Sequence, residues 1–209
     1  MRRLALPVLP LLLASATAHA EGATVSGSLA AEGEGPFVVY VEKVPGKPGA
    51  KRNATIAQKA KTFQPAGAVV TVGSRVDFPN EDKYYHNVFS PTPGSQFDLG
   101  LYRLGVSKSV TLQKSGEIEV FCNIHPEMVA RILVVENEFF VKARPGATFE
   151  IKDLPAGTFD IVAWSPTHEP QRKSVKVSAD GRAEVGFQLK PRGSKSHPNK
   201  DGESYGRYK

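Results

Sequence analysis

The feature that most constrains this chain is its punctuation. Short runs of alternating apolar and polar residues recur along it, each cut off by glycine or proline within a few positions. Residues 107–112 alternate with Val110 and Leu112 on one side, and residues 117–122 alternate with Ile118, Val120 and Cys122 on one face. A period of two belongs to a half-buried strand, because successive side chains point to opposite faces. Further strands are read at 24–29, 37–41, 69–72, 75–78, 139–143, 148–152, 158–164, 174–178 and 183–189. Gly73, Lys114-Ser115-Gly116, Arg144-Pro145-Gly146, Leu154-Pro155-Ala156-Gly157 and Ala179-Asp180-Gly181 supply the turns between them. Residues 45–53 read as a polar loop, and residues 54–61 as one or two helical turns. Many short strands between Gly/Pro turns predict an all-β chain of antiparallel sandwich type.

The first twenty residues stand apart from this pattern. Arg2 and Arg3 are followed by an apolar run at 4–13 and by Ala18-His19-Ala20, a small-x-small cleavage signature. This is the three-part pattern of a secretory signal peptide over residues 1–20, which places the mature protein in the periplasm. The apolar run is too short for a membrane span, and no later segment approaches spanning length. The formal net charge of +6 lies in this leader and in the stretch from Lys190 onward, so the body at 21–189 is formally neutral. The basic balance therefore does not mark a nucleic-acid-binding fold, and no nucleic-acid partner is expected. Residues 192–209, polar and rich in Gly, Ser and Lys, read as a disordered basic tail that touches anionic surfaces weakly. Between leader and tail, residues 21–136 are read as one domain and 137–191 as a second, smaller β-sandwich unit. The second spans about fifty residues, too few for a secure core of its own, and is expected to pack on the first.

Cys122 is the only cysteine, so no disulfide can form within the chain. An unpaired cysteine in a secreted protein needs a reason: it is either a small buried hydrophobe or a thiolate held by a metal. Cys122-Asn123-Ile124-His125-Pro126-Glu127-Met128 places a thiolate, an imidazole and a thioether within seven residues, directly after a strand. His86 lies upstream in Tyr84-Tyr85-His86-Asn87-Val88-Phe89, and Met128 is the only methionine besides Met1. Each residue taken singly has an ordinary reading, as core, packing or surface. Together, His86, Cys122, His125 and Met128 make two imidazoles, a thiolate and a weak axial thioether, the trigonal ligand set of a blue-copper site.

These residues resemble a known family. Val76-Asp77-Phe78-Pro79-Asn80, His86-Asn87-Val88-Phe89 and Cys122-x-x-His125-x-x-Met128 look like a cupredoxin of the plastocyanin/amicyanin type, and the short ligand loop is most similar to amicyanin. The resemblance covers roughly residues 23–135. It implies an eight-stranded Greek-key sandwich with one copper ion near one end. It further implies a backbone N–H of Asn87 on the Cys122 sulfur, and His125, beside Pro126, as the partly exposed ligand through which electrons leave. The expected function is single-electron carriage between an electron donor and an acceptor protein, both unidentified, without enzymatic activity. The segment Phe149-Glu150-Ile151-Lys152-Asp153-Leu154-Pro155-Ala156-Gly157-Thr158-Phe159 is similar to carboxypeptidase regulatory-like sandwiches, which implies packing or docking; Trp164 and His168 are read as core and loop.

Other readings stay open at this point. A copper carrier would use the same residues to move the ion instead of the electron. A zinc site would leave Met128 without purpose, since structural zinc takes Cys and His. A multicopper enzyme would need histidines beside the cysteine, where this chain has Phe121 and Asn123. A purely structural sandwich would leave the coincidence of ligands unexplained.

Overall fold

The structure, a computed structural model, describes residues 22–33, 35–179, 181–193 and 197–205. The signal peptide expected over residues 1–20 lies outside them. Among the described residues every regular element is a strand, as the period-two pattern requires. The chain opens with β1 (Ala23–Ala30) and β2 (Phe37–Val41). Ten strands follow: β3 (Ala54–Thr55), β4 (Ala57–Lys59), β5 (Thr62–Gln64), β6 (Gly67–Thr71), β7 (Ser74–Pro79), β8 (His86–Ser90), β9 (Phe97–Tyr102), β10 (Ser107–Leu112), β11 (Gly116–Phe121) and β12 (Val129–Val135). The last five are β13 (Phe140–Ala143), β14 (Thr148–Leu154), β15 (Gly157–Ser165), β16 (His168–Val177) and β17 (Arg182–Gln188).

Eight of the middle ten strands form a sandwich of two sheets, ordered β10-β7-β3 and β6-β12-β11-β8-β9, with β4 and β5 paired as a separate hairpin. Most pairings are antiparallel, but β6 runs parallel to β12 and β3 parallel to β7. Ile56, Val70, Val76, Phe78, Val88, Ile118, Val120, Ala130, Ile132 and Val134 fill the space between the sheets. Cys122 and Met128 belong to the same buried cluster. The candidate ligands thus sit at the rim of a packed core that fixes the strand ends.

The division at residue 136 needs correction. The first two strands do not belong to this sandwich. β1 lies between β14 and β17, and β2 lies between β13 and β15, so the chain's beginning completes the sandwich formed by its end. Ala23, Val25, Leu29, Phe37, Val39 and Val41 pack with Phe149, Ile151, Leu154, Phe159, Ile161, Val185 and Phe187 in one cluster. Alternation tells which face of a strand is buried, but not which sheet receives it. The last five strands alone would have too little apolar surface to close a core, and β1 and β2 supply the missing part.

The two sandwiches meet along β2 and β12. Val38 and Trp164 pack on Leu133 and Val135 in a third buried cluster. β2 can serve both sides because its residues are buried on both faces: Phe37, Val39 and Val41 look into their own core, while Val38 looks across. Trp164 is core as expected. His168 is not in a loop: it begins β16, is buried, and lies 2.9 Å through Nε2 from the Glu32 carbonyl.

The helical turns expected at 54–61 are also absent, replaced by β3, β4 and the start of a hairpin. Lys59 pairs with Thr62 across Ala60 and Lys61, whose φ angles are 52° and 53°. Two successive residues with positive φ make the tight two-residue turn that matches the twist of paired strands. Neither residue is glycine, so the turn costs more than usual. A carboxylate offsets that cost, and it leads to the site.

Candidate metal centre

β8 and β11 are neighbours, with Phe89 opposite Phe121. His86 is the first residue of β8, and Cys122 follows directly on the last residue of β11. Antiparallel pairing therefore brings these two residues to the same end of the sheet. The 122–128 loop is then closed by its own backbone. The Met128 N–H donates to the His125 carbonyl at 3.0 Å, and the Cys122 N–H to the Met128 carbonyl at 3.3 Å. This folds His125 back over the strand ends.

The result is a triangle of donor atoms. His86 Nδ1 and His125 Nδ1 are 3.0 Å apart, and the Cys122 sulfur lies 3.9 Å from the first and 3.7 Å from the second. The point equidistant from all three lies about 2.1 Å from each, within the range of about 2.0–2.3 Å that imidazole and thiolate ligands keep to a metal. Among the described residues this is the only group of three or more His, Cys, Asp or Glu side chains that could hold an ion. Cys122 and His86 are fully buried, while His125 is only partly so. Met128 is fully buried in the core cluster that also contains Cys122. The two imidazoles, a thiolate and the nearby thioether fit copper by their chemistry: sulfur suits Cu(I), and imidazole suits both oxidation states.

Asp82 was not foreseen as part of the site. Its Oδ2 lies 2.9 Å from His86 Nε2. The same carboxylate accepts the N–H groups of Ala60 and Lys61, both at 2.8 Å, and so steadies the hairpin turn. A carboxylate on one imidazole nitrogen keeps the proton there and leaves the other nitrogen free as a ligand. Burial opposes ionisation of Asp82, but the N–H of Lys61, His86 and the N–H of Ala60 together hold its carboxyl below the usual range. Asn80 shapes the segment that carries it. Its side chain donates to the carbonyls of Tyr84 and Tyr102 at 2.8 and 2.9 Å and accepts the Asp82 N–H at 2.8 Å. No ligand spacing marks Asp82 in the sequence; only its place four residues before His86 hints at it.

Electrostatics around Cys122 run both ways. Burial pushes its thiol above the ordinary value, while backbone N–H groups of Ile124, Asn87 and His125 point at the sulfur and favour the thiolate. The bond from Asn87 is the one the sequence resemblance implied. Burial, and then the neighbouring His86, lower the His125 value, so this imidazole is neutral and ready to bind at pH 7. Above neutral pH the proton displaced by an ion therefore comes from Cys122. Apparent copper affinity should then rise with pH, by about tenfold per unit for one released proton, until the raised thiol value is reached. Competition against a chelator of known pH dependence checks this; an affinity flat in pH would contradict a thiolate ligand.

The expectation of a disordered tail also fails for the part described. Arg192 pairs with Glu117 at 2.5 Å, and residues 197–205 lie against the 122–128 loop. The Tyr205 hydroxyl donates to the Cys122 carbonyl at 2.7 Å, and the His197 ring stacks on Phe121. A polar composition shows only that a segment cannot build a core, not that it has no surface to lie on.

No family model matches this chain, and no curated protein matches its sequence. Solved structures similar to part of it include a novel purple cupredoxin from Nitrosopumilus maritimus, 22% identical with a TM-score of 0.35, covering 39% of this chain and 98% of that one. A single-site variant of amicyanin in its oxidised state is 19% identical with a TM-score of 0.36, covering 39% of this chain and 81% of that one. The copper-containing nitrite reductase of Thermus scotoductus SA-01 is 25% identical with a TM-score of 0.39, covering 46% of this chain and only 25% of that one. This chain is all-β, and the solved structures it resembles are built on cupredoxin sandwiches.

Proposed function

We propose that His86, Cys122, His125 and Met128 hold one copper ion and that the protein passes single electrons between a donor and an acceptor protein in the periplasm. The observation that carries this reading is the donor triangle: three ligand atoms from two separate stretches of chain, already spaced for an ion. Bound copper would supply the one-electron couple between Cu(II) and Cu(I). The chain's own contribution is to hold the ligands still. His86 is fixed by Asp82, Cys122 by three backbone N–H groups, and His125 by the closed loop, so little has to rearrange when an electron arrives or leaves. His125, partly exposed beside Pro126, is the proposed exit. The Tyr84 ring meets its ring at 6.4 Å and is itself 42% exposed. The leader pattern supports export to the periplasm. Phe121 and Asn123 flank Cys122 where a second copper centre would need histidines, which favours a carrier of electrons over an enzyme.

The copper-carrier alternative is separated by two rates. In copper-loaded protein, electron exchange with a small redox dye should be fast, and transfer of copper to a competing chelator slow, because strong ligands must be shed from a held framework. Sluggish exchange with rapid copper loss would favour the carrier. A further expectation concerns the axial position. Met128→Leu should retain copper and raise the reduction potential, since a weaker and drier axial site favours Cu(I). A redox titration checks it, and an unchanged or lowered potential would remove Met128 from the ligand set.

A further inference from the structure

Residues 197–205 supply none of the proposed ligands, yet they lie across the loop that supplies three of the four. The His197 ring stacks on Phe121 with centroids 3.9 Å apart and planes 19° from parallel. Its Nε2 is 2.9 Å from the Pro126 carbonyl. The Lys200 N–H donates to Asn123 Oδ1 at 2.8 Å, and the Tyr205 hydroxyl to the Cys122 carbonyl at 2.7 Å. His197 and Tyr205 meet edge to face, with centroids 5.2 Å apart. The segment is also shaped by its own bonds. Asn199 Oδ1 accepts the N–H groups of Asp201 and Glu203, at 3.0 and 2.8 Å, and Gly202 turns the chain with φ at 82°. It thus presents a preformed turn to the loop, not a loose end.

A second grip is made on β9. Lys200 Nζ is 3.1 Å from Asp98 Oδ2. Asp98 also accepts the Asn87 side-chain amide at 2.6 Å, and the Asn87 backbone N–H is one of the three that point at the Cys122 sulfur. The segment therefore ties the 122–128 loop to the β8–β9 pair, the two parts of the chain between which the ligands are divided.

We propose that residues 197–205 are a strap over the ligand loop, and that its closure slows the entry and exit of copper. This rests on the copper reading of the site. For an ion to leave, the 122–128 loop must move away from His86, and the contacts at Phe121, Cys122, Asn123 and Pro126 must break first. The bonds to Pro126 and Asn123 are exposed and those at Phe121 and Cys122 lie beneath them, but each is individually weak, so the strap can open without unfolding either sandwich. The Lys200–Asp98 pair is exposed and screened by salt, so opening becomes easier as ionic strength rises.

The test uses the full chain carrying H197A and Y205F together. Neither residue belongs to a hydrophobic core cluster, and circular dichroism checks that the variant keeps the fold. In metal-free protein, exchange of the amide hydrogens of Asn123, Ile124, His125 and Glu127 should rise by about tenfold over wild type. In copper-loaded protein, transfer to a competing chelator should speed up by a similar factor, with the visible spectrum unchanged. Unaltered exchange at those amides would overturn the strap. Faster exchange with an unaltered rate of copper loss would overturn its role in holding the ion. Failure of the wild-type chain to bind copper is read separately, in its own titration, and would remove the copper reading and the strap's role in it together.

Discussion

Serine in place of Cys122 is expected to abolish the intense visible absorption of the copper-loaded protein completely, while the sandwich stays folded. The band depends on charge transfer from a thiolate to Cu(II), and Cys122 is the only cysteine. No other side chain can replace it. The cost to the fold should be small. Serine nearly matches cysteine in size, and its hydroxyl can accept the backbone N–H groups of Ile124, Asn87 and His125 that now point at the sulfur. Burying a hydroxyl that keeps such partners costs about 1 kcal/mol, far less than leaving it unpaired. Absorption spectroscopy and thermal melting of the metal-free variant check the two parts. A band that survives the substitution would remove Cys122 from the centre. Loss of the fold would mean that the cysteine serves the core rather than a metal.

Asp82→Ala should produce the second large effect. It removes the partner that sits 2.9 Å from His86 Nε2, so the imidazole is free to rotate and to carry its proton on either nitrogen. Loss of such a partner weakens metal affinity by about 10–100-fold. It also strips the acceptor from the N–H groups of Ala60 and Lys61, whose positive φ angles need that support. The hairpin tip should loosen along with the site. Asp82→Asn should fall between alanine and wild type, because the amide oxygen still accepts one N–H but carries no charge. Copper affinity measured by competition, in the order wild type, Asn, Ala, checks the series. Equal affinities would show that the hairpin and His86 do not share Asp82 in any way that matters to the ion.

Many of the strands, though not β3–β5, β8, β9 or β12, and the four proposed ligands are legible in the sequence for local reasons. The strand at 107–112 was found with its limits intact because alternation and turn residues are properties of adjacent positions. Cys122, His125 and Met128 stood out because one loop holds them, and His86 because its neighbours repeat a recognisable pattern. What was not legible depends on contacts between distant parts. The partition of β1 and β2 into the second sandwich follows from which core had apolar surface to spare, and no local pattern states that. Asp82 matters because a tight turn at Ala60 and Lys61 comes to rest beside it. The 54–61 stretch looked helical because its alanines and lysines favour helix weakly, but pairing with β5 and β7 overrode that preference. The seat of residues 197–205 exists only once Phe121, Asn123 and the Cys122 carbonyl are assembled at one end of the sandwich. A polar composition cannot foretell it.

One ion is proposed to sit between His86, Cys122 and His125, bound through a thiolate. The most direct test is to titrate the purified metal-free protein with Cu(II) and follow the visible spectrum. An intense charge-transfer band should grow linearly and saturate at one equivalent of copper. A chain that binds copper without that band, or that saturates only after several equivalents, would contradict a single thiolate-bound ion.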